Sequence, residues 1–371
     1  MAKGAILFVR NGEFSNTNQY ILAQLRKNFP GADVIDVDLA ADTLKYPPFF
    51  VLNTILSILR YGVKAVLFER RRYFYFIRTP YFFRSAARRA LARARGAGRG
   101  IDVVVQTQGV FNAAMSGAPL VIYTDYTMKS PSFGGTAVDP AVLAEEQALF
   151  TRANAIAVSA NHVRDILISD YGCAPDKVST VYIGSNALGS DADIPPSRFA
   201  SRRICFVGID WVRKGGEELV AGFLKLLERM PDARLIIAGA SPAITHPNIE
   251  VLGMTPRDQV AELYRTSAVF CLPSRVEPSS VACVEAATMG LPIVATRVGG
   301  FVDSVLDGVS GLLVPPRDPD AIAEALYAVL SDPAQAERMG AAGRENAKAR
   351  FAWDRVGEKL AAVIRARAPN L

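Results

Sequence analysis

The sequence predicts an α/β protein of two doubly wound domains, each a parallel sheet with helices on both faces. Three observations predict it. Short apolar runs alternate with helical patterns along most of the chain, and one polar, proline-bearing stretch interrupts the alternation. The 371 residues, half of them hydrophobic, suffice for two separate cores.

The first series opens with the apolar run 6–9, the turn-rich RNGEFSNTN and a helical pattern over 20–27, a strand-loop-helix start. Strand-like runs follow at 33–37, 101–105, 120–123, 155–159 and 178–183, alternating with helical stretches such as 141–151 and 161–169. The segment SNALGSDADIPPSR, 185–198, breaks the periodicity and reads as a linker. A second series then runs through strands 203–207, 233–238, 249–252, 269–272 and 292–295 and helices 216–228, 257–264, 281–289 and 319–330. The expected domains are 1–190 and 191–352, with 353–371 as a last amphipathic helix. Two such sheets facing a central cleft hold ligands at the carboxyl ends of their strands, where helix N-termini converge.

Composition narrows the chemistry. Lys and Arg number 42 against 36 Asp and Glu, a net +6 that suits phosphates or acidic lipid head groups and is too weak to imply nucleic acid. Cys173, Cys205, Cys271 and Cys283 lie far apart without a C-x-x-C pair and read as buried thiols of a reducing compartment. Asn11, Gly12 and Glu13 follow the opening AILFV at once, so no signal-peptide pattern is seen and a cytoplasmic location is expected. The two histidines, His162 and His246, stand in unrelated contexts, which leaves little material for a histidine metal site or a serine-histidine hydrolase. No metal and no resident cofactor is expected.

The most informative stretch is PSRVEPSSVACVE, 273–285, which follows a buried strand and opens a helix at about Ser279 or Ser280. Free backbone N–H groups and the helix dipole at that point attract a diphosphate. Glu277, before the helix, and Glu285, about two turns in, are acceptors suited to hydroxyl groups, or else solvated charges flanking a helix. A second element, FVGIDWVRKGG over 206–216, runs from a strand end through a basic loop into a helix and places Lys214 and Arg213 beside paired glycines. Alone, it also fits an ordinary surface turn.

VACVEAATMGLPIVATRVGG, 281–300, followed by DGVSGLLVP, 307–315, resembles the family 4 glycosyltransferases, two-domain Rossmann-like enzymes of the GT-B fold that use nucleotide-sugar donors with retention. The resemblance covers nearly all of 203–355 and, more loosely, 155–186. It implies that Glu285 holds the donor's ribose hydroxyls and Glu277 touches the transferred sugar. It also implies that amides near Ser280 and Val281 reach sugar hydroxyls or phosphates, that Lys214 neutralises the diphosphate, and that Gly253 and Met254 border the nucleotide base. UDP- or GDP-linked sugars are the expected donors. The chain departs from the family pattern twice: Ser279-Ser280 replace the usual Phe-Gly, and the usual arginine partner falls near Ile209, with Arg213 the nearest replacement. In this fold the helix after FAWDR, 351–355, crosses back onto the first domain, so that closure would hinge near 185–198 and 351–355.

In the first domain Gly12 sits at the first strand-to-helix turn, near the expected diphosphate. Asp125, in TDYT at 124–127, stands where many family members carry a sugar-contacting element and is read as a sugar-binding or acceptor-orienting carboxylate, or as a turn cap. Gln106, Thr107 and Gln108 are weaker candidates of the same kind. From 46 to 99 an apolar run too short to span a bilayer gives way to a stretch dense in Arg, Phe and Tyr. That composition suits an anionic membrane surface or an acceptor groove, and equally helices with buried aromatics and solvated arginines. The expected function is transfer of a sugar to a glycan, lipid-linked or small-molecule acceptor, at the inner face of the membrane if the arm binds lipid. The alternatives are a non-catalytic nucleotide-sugar or lipid-binding protein and a nucleotide-sugar epimerase.

Overall fold

The computed structural model describes residues 4–13, 16–68, 72–96, 100–131, 138–187 and 195–371, so that 188–194 of the expected linker and 69–71 and 97–99 of the basic arm lie outside the described residues. The chain divides into two compact units, Met1–Tyr182 with Val356–Leu371, and Ile183–Arg355.

The first unit holds a parallel sheet of β1 (Ala5–Arg10), β2 (Asp33–Asp38), β3 (Val103–Thr107), β4 (Leu120–Thr124), β5 (Ala155–Val158) and β6 (Val178–Thr180), in the order β2-β1-β3-β4-β5-β6. Every residue of β3, β4 and β5 is buried, as expected of central parallel strands covered on both faces. Every strand of this sheet shifts by at least one residue at one end or the other from the sequence reading, and two shifts are larger. The third strand starts at Val103 rather than at 101, because the Asp102 carboxylate turns back to accept the Ala5 N–H at 2.7 Å. The sixth ends at Thr180 rather than at 183, because Tyr182 takes a left-handed backbone, φ 71°, and shares the Val158 carbonyl with Val181. From the last helix, Trp353–Arg365, the Arg365 guanidinium donates to the Asn28 carbonyl at 2.7 Å, within this unit.

The second unit holds β7 (Arg203–Val207), β8 (Arg234–Ala238), β9 (Ile249–Gly253), β10 (Val269–Leu272), β11 (Ile293–Thr296) and β12 (Gly311–Val314), all parallel, in the order β12-β11-β10-β7-β8-β9. β12 is absent from the sequence reading, which used its residues only within the motif 307–315. It forms because Gly311 lets the strand approach β11 so closely that a Cβ there would lie 2.0 Å from the Ile293 carbonyl oxygen. The four cysteines are buried as free thiols.

Chain order reverses once in each sheet. From β1 the chain passes to β2 on one side and later to β3 on the other; from β7 it passes to β8 and β9 on one side and then to β10 on the other. Such a reversal opens a crevice at the carboxyl ends of the two central strands, the place where open α/β sheets bind ligands.

Candidate functional site

In the second unit the loops after β7 and β10 meet at this reversal, and backbone contacts fix them. The Arg275 N–H donates to the Arg213 carbonyl at 2.8 Å, and the Gly300 N–H, beyond β11, donates to the Glu277 carbonyl at 3.0 Å. The Thr296 hydroxyl donates to the Ser274 carbonyl at 2.5 Å. Two glycines permit this closeness. A Cβ on Gly300 would stand 2.7 Å from the Pro278 carbonyl oxygen, and one on Gly215 1.9 Å from the Pro273 oxygen. Gly215 also has φ +71°. Gly215→Ala is therefore expected to destabilise the protein by roughly 2–5 kcal/mol, combining backbone strain with overpacking. Chemical denaturation of the variant beside the parent measures it; a change below ~0.5 kcal/mol would mean that the loops do not depend on this contact.

The packing places Lys214 and Glu277 in contact. The Lys214 ammonium lies 2.5 Å from Glu277 Oε2, whose side chain is only 3% exposed, and Lys214 itself is 9% exposed. The Ser274 hydroxyl donates to the same oxygen at 3.0 Å, and the Arg213 guanidinium stands 3.7 Å from it. Arg213 is positioned by the Val276 carbonyl at 3.2 Å and by Asp210 at 3.4 Å. Burial holds the Lys214 ammonium below the usual lysine range, Glu277 pulls the other way by favouring the charge, and Arg213 adds a smaller downward push. Two cations thus converge on one buried carboxylate. Ile209, where the resemblance implies an arginine, is exposed, while Arg213 supplies a guanidinium four residues later.

The helix Val281–Thr288 begins beside this cluster. Ser280 caps it, its hydroxyl accepting the Cys283 N–H at 3.2 Å, so its side chain is committed to the helix. The amides of Val281 and Ala282 are among those the helical ladder leaves without an acceptor. Glu285, farther along, is partly buried beside Tyr264, whose hydroxyl lies 3.3 Å from its Oε2. Burial pushes the Glu285 carboxyl up to about 7, against the opposing pull of Arg257 and the Tyr264 hydrogen bond. Arg257 is anchored by the Asn186 carbonyl at 2.7 Å.

Gly253 ends β9 with φ +67°, its carbonyl accepting the Gly239 N–H at 2.6 Å, and Met254 beyond it is 72% exposed. A Cβ on Gly239, φ +90°, would come within 2.9 Å of the Gly208 oxygen, so glycine backbone lines the ends of β7 to β9.

In the first unit the reversal lies between β1 and β3. Gly12, φ +68°, donates its N–H to Asp38 at 2.9 Å, and its carbonyl accepts from Asn18 at 2.6 Å. Of the weaker candidates, Gln106 is spent on its own loop, donating to Gln108 and Phe111 carbonyls and accepting from Ala113. Thr107 is buried, and its hydroxyl has no hydrogen-bond partner among the described residues. Asp125 is partly exposed in the loop after β4.

That loop is held by a residue that sequence reasoning missed. Glu146 is buried in the helix Pro140–Arg152, accepts the Met128 N–H at 3.0 Å and the Tyr171 hydroxyl, and is pushed up to about 8 by burial. Ser274, Tyr264 and Arg257 were missed as well. Within their own segments they read as strand-end and helix-face residues, and only the fold brings them to Glu277 and Glu285.

Residues 201–332 match the family described as glycosyl transferases group 1. Among curated relatives, a D-inositol 3-phosphate glycosyltransferase of Kribbella flavida is 30% identical over 280 residues, 66% of this chain and 65% of that protein. The chain thus spans just under two thirds of that relative's length. Among solved structures, a glycosyltransferase of Rickettsia africae superimposes with a TM-score of 0.70 at 16% identity over the whole of both chains. HepE of Anabaena, in complex with UDP-glucose, does so with a TM-score of 0.67 at 15% identity, covering 98% of this chain and 99% of that one. Residues 201–332 thus match a group 1 glycosyl transferase domain, and the two parallel doubly wound sheets share the fold of the glycosyltransferase structures on which the chain superimposes.

Proposed function

We propose that the protein transfers a sugar from a nucleoside diphosphate donor to a sugar-containing or lipid-linked acceptor, with retention of configuration and without a metal ion. The observation that carries this reading is the meeting of Lys214, Arg213 and buried Glu277 at the β7/β10 reversal, beside the N-terminus of the helix that carries Glu285. Two cations and the unsatisfied helix amides form a cradle for a diphosphate leaving group. Glu285, as a carboxylate, accepts from the two ribose hydroxyls, and Glu277 both orients Lys214 and meets the transferred sugar. The Gly253–Met254 turn borders the base, which backbone groups read.

In the reaction the bond from the anomeric carbon to the diphosphate oxygen breaks, and the pair of electrons goes to the phosphate. Lys214 and the amides of Val281 and Ala282 stabilise that charge as the sugar passes through an oxocarbenium-like state. The acceptor oxygen bonds to the anomeric carbon from the face the diphosphate leaves, and a phosphate oxygen takes its proton. For the first unit, the family resemblance implies Gly12 as a diphosphate-side candidate and Asp125 as a carboxylate for the acceptor or the sugar. The UDP-glucose complex of HepE favours a uridine donor. We place the activity in the cytoplasm, with the basic aromatic segment 46–99 as the side that meets the membrane.

A screen of UDP-, GDP- and ADP-sugars by thermal shift tests the donor site. One donor is expected to raise Tm, since ligand at 100 times its Kd adds about 2.7 kcal/mol of stability, and Glu285→Ala is expected to remove the rise. No shift with any donor would overturn the reading. Product analysis then separates the alternatives: free modified sugar formed without an acceptor would identify an epimerase, and binding without turnover a binding protein.

A further inference from the structure

The helix Pro47–Tyr61 has its polarity reversed relative to an ordinary surface helix. Its protein-facing side carries Phe49, Asn53 and Ser57, all buried. Asn53 is fully satisfied there, donating to the Phe76 carbonyl at 2.8 Å and accepting the Thr79 hydroxyl at 2.5 Å. The outward side carries Val51, Leu52, Ile55 and Leu59, all exposed, Leu59 to 78%. At ~100° per residue these four fall within an arc of about 100°, opposite the buried three. After the break at Gly62, φ 84°, the short helix Val63–Leu67 exposes Val63 and Leu67, and Phe68 beyond it is 78% exposed. A water-facing helix buries its apolar stripe and exposes its polar one. This one buries the polar Asn53 and Ser57 beside Phe49 and exposes four aliphatic side chains.

Charge identifies what covers the apolar side. Between 46 and 99 the sequence has twelve Arg and Lys against a single Glu, a net +11 within a chain whose total is +6. All of the excess positive charge therefore lies in this arm, and the remainder of the chain is acidic on balance. Arg60 and Arg84 pair with Asp139 and Glu145, while Lys64 is exposed between Val63 and Leu67. Apolar side chains flanked by concentrated positive charge match an anionic lipid surface, which takes the former among its acyl chains and the latter at its head groups. The helix, 15 residues and about 22 Å long, is too short to span the ~30 Å hydrocarbon core, and no helix among the described residues is long and apolar enough to cross a membrane.

We infer that the apolar face of 51–68 lies in the interface of an anionic membrane, with the helix Pro47–Tyr61 parallel to the surface. This rests on the reading of 46–99 as the membrane side and deepens it by naming the face and the depth. Because Asn53 binds the helix to Phe76 and Thr79, the face is held ready before lipid arrives.

Sedimentation of the full chain with vesicles tests it. The protein is expected to co-sediment with phosphatidylcholine vesicles containing phosphatidylglycerol, far less with phosphatidylcholine alone, and less as salt rises. Leu59→Asp with Phe68→Asp is expected to reduce binding to the anionic vesicles by at least about ten-fold, while Tm stays that of the parent because both sites are exposed. Parent protein that leaves the anionic vesicles in solution, binds both compositions equally, or loses nothing on substitution would overturn the inference. A dimer in light scattering that the same substitutions dissolve, without vesicle binding, would show a second copy as the occupant and overturn it too. The donor thermal shift, read on the same variants, keeps the two claims apart: its loss bears on the transfer reaction, loss of vesicle binding on the membrane face.

Discussion

Lys214→Ala is expected to lower kcat by about 10²–10³, the cost of removing one preorganised group from developing charge on a leaving group. The geometry adds a second effect. Glu277 is buried, and its closest cation among the described residues is Lys214; without it the carboxylate keeps, among those residues, the Ser274 hydroxyl at 3.0 Å and the Arg213 guanidinium at 3.7 Å. Breaking one side of a buried pair costs roughly 3–5 kcal/mol, so the same variant should unfold at lower denaturant. A double variant, Lys214→Met with Glu277→Gln, removes both charges and should recover much of that stability while the rate stays low. Rate and stability are thereby separable. An unchanged kcat in Lys214→Ala, measured with saturating donor, would remove Lys214 from the reaction.

Glu285 carries the second large effect, and its sign depends on pH. Its carboxyl titrates near 7 in the folded, ligand-free protein, against 4.5 ordinarily, because burial disfavours the charge. A group with a raised folded pKa contributes stability that is fully present below about pH 4.5 and is lost as pH climbs through about 7. Glu285→Gln should flatten that part of the stability profile. Donor binding should run the other way. If two ribose hydroxyls require the carboxylate, donor affinity falls as pH drops below about 7, by up to about ten-fold per unit, and levels off above it. Glu285→Gln should weaken the donor by about 10², the worth of two hydrogen bonds to a charged acceptor, and abolish the pH dependence. Calorimetric titration of the donor across pH decides it. A parent protein whose donor affinity is flat from pH 5 to 8 would separate Glu285 from the ribose.

The architecture was legible because it rests on local pattern. Central strands such as β4 and β10 are continuous apolar runs, and the helix Asn161–Ser169 ends where its periodicity ends. Features that rest on approach between distant backbones were not. β12 needs a glycine that lets it close on β11, and the early end of β6 follows from a left-handed Tyr182 that no periodicity announces.

The sequence by itself determined that two β-α series would form, that Glu277 and Glu285 would bracket a helix N-terminus, and that a basic aromatic arm would interrupt the first series. Each is written in contiguous residues, where period, capping and composition act directly. Only the tertiary structure decided what those residues meet. Lys214 and Glu277 are 63 positions apart and touch because β10 pairs with β7 at the point where chain order reverses. Glu285 resists ionisation because it is buried beside Tyr264, 21 positions away. The helix Pro47–Tyr61 turns its apolar side outward because Asn53 finds both its partners on the 76–79 segment. A buried amide left without partners costs on the order of 1–3 kcal/mol, which favours the face that satisfies it.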